Sequence, residues 1–404
     1  IIEILFQVKS FSEIFYYRHL LNHYLFIISI ICFYFLCLNI FKNKLYAFFG
    51  AITLYSTPRI FAESFYNNKD LAFLSFFIFL IFFSIKFIKK PNYYNAFLLS
   101  IFSAIAIHIR IVAIYVGILI ALFFVIEFLM KNKPNEKKIG ALIFFFFFQF
   151  FFLYLIWPFL WENPINNFLY ILKTSSEFEW GGYIFYLGSF YKPRLLPWHY
   201  FIVCFLATTP PLISILSLSG LVQLITRFIK RLMKIDNNNS YKDIWRGEKE
   251  KIFLFLFFII FIPIFLNFLH PAIYNSWRHL FFVFPVLILI LIYFIDLVSL
   301  KFRKKKILLY INSILIIIFL TNFYNLITLH PFQYIYFNLL FEKKANKLFE
   351  IDYWGLSNKF SLEKIVKDNL QKKKITIGVA SFTNLYLSKK MVNKKLQDKL
   401  IISG

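Results

Sequence analysis

Glycine is scarce in this chain, 11 residues in 404, and none of them forms a G-x-x-x-x-G-K-[S/T] or G-x-G-x-x-G run. Backbone that wraps a nucleotide phosphate needs glycine at fixed spacing, so nucleotide-driven chemistry is disfavoured. Cysteine is scarcer still: Cys32, Cys37 and Cys204 stand alone inside apolar runs with no CxxC, which leaves no disulfide framework and no zinc knuckle. There is no HExxH and no internal repeat. Charge is the third shortage, at 16% of residues, and it is nearly absent from the long apolar stretches. A soluble core is thereby excluded.

What is present is hydrocarbon: 60% of residues are hydrophobic and mean hydropathy is +0.68. Runs long enough to cross ~30 Å of bilayer recur along the chain. Hydropathy and helix breakers give about ten spans, 24–41, 45–57, 71–88, 95–108, 111–130, 139–159, 199–225, 252–269, 280–300 and 307–327. The second and fourth are short, interrupted by Pro58 and by the His108/Arg110 pair. The 59 Phe fill positions where Leu would serve, and stretches such as 144–148 read as a composition bias and not as a binding stripe.

The net charge of +25 could suggest nucleic acid, but its distribution points elsewhere. Alternate loops carry 22 Lys and Arg in one set (42–44, 86–90, 131–138, 227–251, 301–306) and 7 in the other (58–70, 108–110, 160–198, 270–279). Short basic loops stay cytoplasmic, so the second set is expected outside and no nucleic-acid partner is needed. The expected division is an outer remnant at 1–23, a transmembrane domain at 24–327 with an outer loop at 160–198 and a cytoplasmic loop at 227–251, and an outer soluble segment at 328–404. With no Met and no signal peptide before Ile1, a preceding span and outer loop are expected upstream, and the tail is expected to continue past Gly404. Within the tail, 374–380 reads as a strand and 385–400 as a helix.

Polar residues gather on the expected outer side. Residues 57–70 (TPRIFAESFYNNKD) place Arg59, Glu63, Lys69 and Asp70 between two apolar runs, where charge survives by pairing or by lining a wet site. If the chain between them is helical, Glu63 and Asp70 share a face. All seven histidines, His19, His23, His108, His199, His270, His279 and His330, fall on the same side. The 160–198 loop holds Glu162, an amphipathic helix at 164–176 lying on the membrane surface, and a tight turn at Trp180-Gly-Gly. Arg278 and His279 stand at the mouth of a span, where Arg either snorkels or offers its fork to a phosphate. Residues 329–338 and then Glu350, Asp352, Tyr353, Trp354 and Gly355 lead into the tail. Carboxylates, cations and aromatic rings near headgroup level suit a lipid-phosphate donor and a hydroxylated acceptor. A transporter or flippase for a lipid-linked or anionic substrate is the alternative; it would show charge at mid-span and repeat symmetry.

In order along the chain, PRIFAESFYNNKD, WPFLWENPINNFL, EWGGYIFYLGSFY, LPWHYFIVCFLATTPPL, YNSWRHLFFVFP, LHPFQYIYFN and DYWGLS resemble the bacterial membrane glycosyltransferases of family 39. These are kin to protein O-mannosyltransferases and to the lipid A aminoarabinose transferase. The resemblance implies an α-helical polytopic membrane protein with a GT-C-like transmembrane bundle, outer-face loops and a small α/β soluble tail. It implies inverting transfer of a sugar from a polyprenyl-phosphate donor, among membrane lipids, to an undetermined acceptor outside the bacterial inner membrane. It also implies that Asp70 belongs to the acceptor or catalytic pocket, where Glu63 on the shared face would join it as a catalytic candidate, and that the principal carboxylate lies in a first outer loop this chain does not contain. Substrate contacts would come from Arg59, Lys69, His108, Arg110, Glu162, Trp180, Arg278, His279 and His330. No metal ligand set stands out, although the outer carboxylates leave room for a divalent cation.

Overall fold

The computed structural model describes residues 8, 10–131, 136–233, 247–269, 271–302, 305–379 and 383–403, so His270 lies outside the described residues. The chain is an α-helical membrane protein: among the described residues, eight helices are long and apolar enough to span a bilayer. α1 (Phe11–Phe41) starts from a capping box in which Ser10 and Glu13 exchange hydrogen bonds. It ends at Lys42 in the left-handed region. The chain returns in two pieces, α2 (Lys44–Ser56) and α3 (Pro58–Tyr66), because Pro58 cannot continue the first helix but starts the second well. α4 (Asp70–Lys89) and α5 (Tyr93–Ile109) then form an antiparallel pair of about 30 and 26 Å.

α6 (Ile114–Lys131) and α7 (Glu136–Ile156) follow, with α5 and α7 packed together. The 160–198 segment forms a peripheral helix, α8 (Pro164–Glu177), and a hairpin of β1 (Ile184–Tyr186) and β2 (Ser189–Tyr191). Leu187 and Gly188 both have positive φ at its two-residue turn, which matches the strands' twist. Where the sequence suggests a tight turn at Trp180-Gly-Gly, the chain changes direction in a bend at Gly182. A Cβ at Gly182 would lie 2.3 Å from the Trp180 ring, so a larger residue there would push that ring aside.

The expected span at 199–225 is broken at Thr209–Pro210 into α9 (Tyr200–Thr208) and α10 (Pro211–Leu232). Asn338 staples the break: its N–H donates to Ala207 O at 2.9 Å and its side chain to Leu206 O and Thr209 O at 2.6 and 3.1 Å. After α11 (Glu248–Leu266), the 3-10 turn Arg278–Val283 leads into α12 (Phe284–Lys301). Residues 284–293 are buried all round, which makes α12 the central helix. Gly220 of α10 lets the two backbones close, since a Cβ there would lie 2.5 Å from Ile290 O. α13 (Lys305–Thr328) is peripheral and presents Leu309, Leu320 and Ile327 outward.

The two ends of the bundle differ in chemistry. One carries the lysines: Lys249 pairs with Asp296 at 2.5 Å, Glu127 takes Lys138 and Lys251, and Lys89 Nζ donates to Asn39 Oδ1 at 2.7 Å. The other gathers 57–70, 108–110, 274–279 and 333–355. The last of these includes α14 (Ala345–Leu348), and beyond it come α15 (Ser357–Asp368), β3 (Ile375–Gly378), α16 (Leu385–Lys390), α17 (Lys394–Gln397) and β4 (Leu400–Ser403). β3 and β4 pair in parallel over a small core of Leu362, Val366, Leu385, Val392, Leu400 and Ile402. The helix expected over 385–400 is thus two short helices, because Asn393 caps a new one by accepting from Lys395 N.

Candidate active site

α3 ends at Tyr66 and α4 starts at Asp70, so Glu63 and Asp70 do not share one continuous helix. Asn67, in the break, joins them instead. Its Nδ2 donates to Glu63 Oε2 at 2.7 Å and to Asp70 Oδ2 at 3.1 Å, while its Oδ1 accepts from Asp70 N at 2.9 Å. Asp70 is 2% exposed and receives two guanidinium groups: Arg110 on Oδ1, and Arg278 on Oδ2 at 3.3 Å. Arg110 caps α5 where the backbone turns extended, and Arg278 opens the 3-10 turn before α12. One carboxylate therefore holds two cations from distant elements at the mouth of the bundle, and the helix N-terminus beneath Asp70 favours its charge.

Arg278 is flanked by rings. Its guanidinium carbon lies 4.6 Å from the Tyr274 centroid, 5.0 Å from Tyr353 and 5.2 Å from Trp354. Trp180 stacks on Tyr274 at 4.7 Å and 8°, and His279 meets Tyr274 edge-on at 4.7 Å. Tyr353 and Trp354 are held by Asp352, whose carboxylate accepts from Leu356 N, Ser357 N and Ser357 Oγ at the start of α15. Asn275 and Ser276 both sit at positive φ, 55° and 62°. Non-glycine residues in that region cost about 1–3 kcal/mol each and cluster at functional sites.

Arg59 is buried, donates from Nε to Tyr334 O at 3.1 Å and lies over Phe337. Burial pushes the Glu63 carboxyl above its ordinary range, with Arg59, Asn67 and Arg278 pulling the other way. Glu350 is raised for the same first reason and opposed by Arg278 and Arg59. Lys69 keeps part of its surface in solvent beside this cationic group, and partial desolvation, then Arg110 and Arg278, lowers its pKa.

The structure brings together Asp70, Glu63, Arg59, Lys69, Arg110, Arg278, His279 and Trp180. It does not bring His108, Glu162 or His330 to them: His108 packs edge-on against Trp157, Glu162 is exposed, and His330 meets Gln333 at 3.1 Å. His23 is structural, stacked on Phe65 at 4.0 Å with Nδ1 2.7 Å from Ser64 Oγ. Asn67, Tyr66, Tyr274 and Glu350 were not singled out as site residues by the sequence. Their only cue was nearness to the charged and aromatic blocks. Among the described residues no three His, Cys, Asp or Glu side chains converge as a metal site.

Residues 2–157 match the family model described as dolichyl-phosphate-mannose-protein mannosyltransferase. Arg59, Glu63, Asp70 and Arg110 lie inside that segment; Arg278 and Glu350 lie outside it. No curated protein matches the chain. With eight long apolar helices among the described residues, the chain is a multi-pass membrane protein that resembles, over residues 2–157, the dolichyl-phosphate-mannose-protein mannosyltransferases.

Proposed function

We propose that the chain transfers a sugar from a polyprenyl-phosphate donor to a hydroxylated acceptor, with inversion, at the Asp70 end of the bundle, which faces the outside of the bacterial inner membrane. The single observation that carries this is Asp70 gripping Arg110 and Arg278 together at the bundle mouth. Two guanidinium forks presented side by side match a phosphate. Asp70 has both oxygens engaged and is a poor proton acceptor, so its role here is to orient the arginines. Glu63 is the better base, since burial strengthens its hold on a proton.

In the step so arranged, the acceptor oxygen attacks the anomeric carbon while the bond from that carbon to the phosphate oxygen breaks. The electron pair leaves with the polyprenyl phosphate, whose new charge Arg110 and Arg278 offset. The acceptor's proton passes to Glu63 and then to water. Lys69 and Arg59 add positive potential, and Trp180 and Tyr274 provide a stacked aromatic wall. The outward orientation is supported by the division of lysines and site residues between the two ends.

The transporter alternative fares worse. Buried polar side chains at mid-depth are neutral Ser, Gln and Asn, such as Ser29 bonded to Ser75 and Gln149 bonded to Ser103, with no ionisable conduit between the two ends among the described residues. Membranes containing the protein and polyprenyl-phosphate sugar carrying a labelled sugar separate the two readings. Transfer frees the polyprenyl phosphate and moves label to an acceptor, whereas a flippase relocates the donor intact.

A further inference from the structure

Among the described residues, the polar atoms buried near Arg278 without a hydrogen-bond partner include Tyr66 Oη, Trp354 Nε1 and Glu350 Oε2. Buried polar atoms are almost always bonded, and each one left alone costs about 1–3 kcal/mol, so a group of them in one place points to an absent polar ligand. They come from two separate parts of the chain that meet here. Tyr66 ends α3, and its ring meets Trp354 at 5.6 Å and 64°. Trp354 and Glu350 belong to the strap that follows α13, and Trp354 also faces the Arg278 guanidinium. All three side chains are half-buried, with their polar tips turned inward. Arg110 Nε and Arg278 Nε are likewise unpartnered beside them.

The set contains one hydroxyl that donates or accepts, one obligate donor, one carboxylate that accepts, and flat aromatic faces. A phosphate would use the cations but not the carboxylate; a lipid tail would use none of the polar atoms. Vicinal hydroxyls, each donor and acceptor, satisfy all three together with the rings. We propose that Tyr66 Oη, Trp354 Nε1 and Glu350 Oε2 form a hydroxyl-reading subsite for the sugar of the donor, beside the arginines that hold its phosphate. This rests on the transferase reading. The strap at 349–355 then sets sugar specificity, which is why aromatic residues so close to the soluble tail are folded back onto the membrane mouth.

The test uses Tyr66→Phe and Trp354→Phe in the full chain, reconstituted in vesicles, with polyprenyl-phosphate mannose, glucose and galactose. The best of these donors is then compared with its monodeoxy analogues. Each variant removes one polar atom and keeps a ring, and neither atom has a hydrogen-bond partner among the described residues. Thermal unfolding is therefore expected to stay within about 2 °C of the wild type. Donor kcat/KM is expected to fall tenfold or more, and to fall much less on the deoxy analogue that lacks the hydroxyl the deleted atom reads. Wild-type rates in both variants on every donor would overturn the subsite while leaving transfer standing. A loss of activity that tracks a lowered unfolding temperature, equal on parent and deoxy donors, would make the contacts structural and overturn it too. If the wild type turns over none of the three donors, the transferase reading falls and takes the subsite with it.

Discussion

At the scale of single residues, the site is a problem of buried charge. Two arginines and a carboxylate beside the bilayer are tolerable only because Asp70 faces both cations, and the rings around Arg278 replace water that a guanidinium sheds readily. Lysine is a compact, strongly hydrated point charge and cannot fill that slot. Arg278→Lys is expected to lower donor kcat/KM by about tenfold or more, about 1.4 kcal/mol of transition-state stabilisation, read from initial rates. Glu63 gives a pH signature. Its folded pKa is raised by burial, so the folded state binds the proton more tightly than the unfolded chain. Its contribution to stability is present at low pH and is lost as pH rises from the ordinary value of 4.5 through the folded value. The unfolding temperature of Glu63→Gln relative to wild type should therefore climb between pH 4.5 and neutrality; a flat difference would place Glu63 in water. The four charges of 57–70 were legible in the sequence because charge between apolar runs is conspicuous. Asn67, which joins two of them, is an unremarkable residue in a polar stretch, and only the break between helices gives it that position.

At the scale of elements, the strap after α13 determines whether the site is complete. Asp352 fixes it to α15, and Gly355 turns it at φ +64° with Thr383 so close that a Cβ would lie 2.6 Å from the threonine side chain. Gly355→Ala is expected to cost about 1–3 kcal/mol of stability locally and to raise the donor KM, because Trp354 moves with its neighbour. Unchanged donor kinetics in that variant would detach the strap from function. The elements the sequence announced most clearly are those with strong periodicity or strong breakers, such as the surface helix at 164–177 and the pause at Pro58. Less visible were the break of the ninth and tenth helices at Thr209–Pro210 and the division of 385–400 at Asn393. The first depends on a staple, Asn338, that lies more than a hundred residues away, and the second on the short-range cap at Asn393.

At the scale of the whole molecule, the lysine-rich end and the site end define a vector across the bilayer, and the proposed chemistry requires the site end to face out. The three native cysteines are buried, so introduced thiols report with little background. In intact cells, a membrane-impermeant maleimide should label Lys173→Cys, exposed on the peripheral helix, and spare Lys137→Cys, exposed at the opposite end, until the membrane is opened. The reverse pattern would place the site inside. The fold class was legible from composition alone, since hydrocarbon length and loop charge are global properties that no single contact overrides. The convergence of α3, α4, α5, the start of α12 and the strap was not, because each supplies one or two polar residues with no spacing rule between them.

The central claim is that sugar transfer takes place where Asp70 holds Arg110 and Arg278. The most direct measurement is the initial rate at which purified protein in vesicles releases polyprenyl phosphate from its sugar-loaded form, compared between wild type and Asp70→Asn. The account predicts turnover by the wild type and a rate at least tenfold lower in the variant, with the fold retained. An undiminished rate in Asp70→Asn would contradict it.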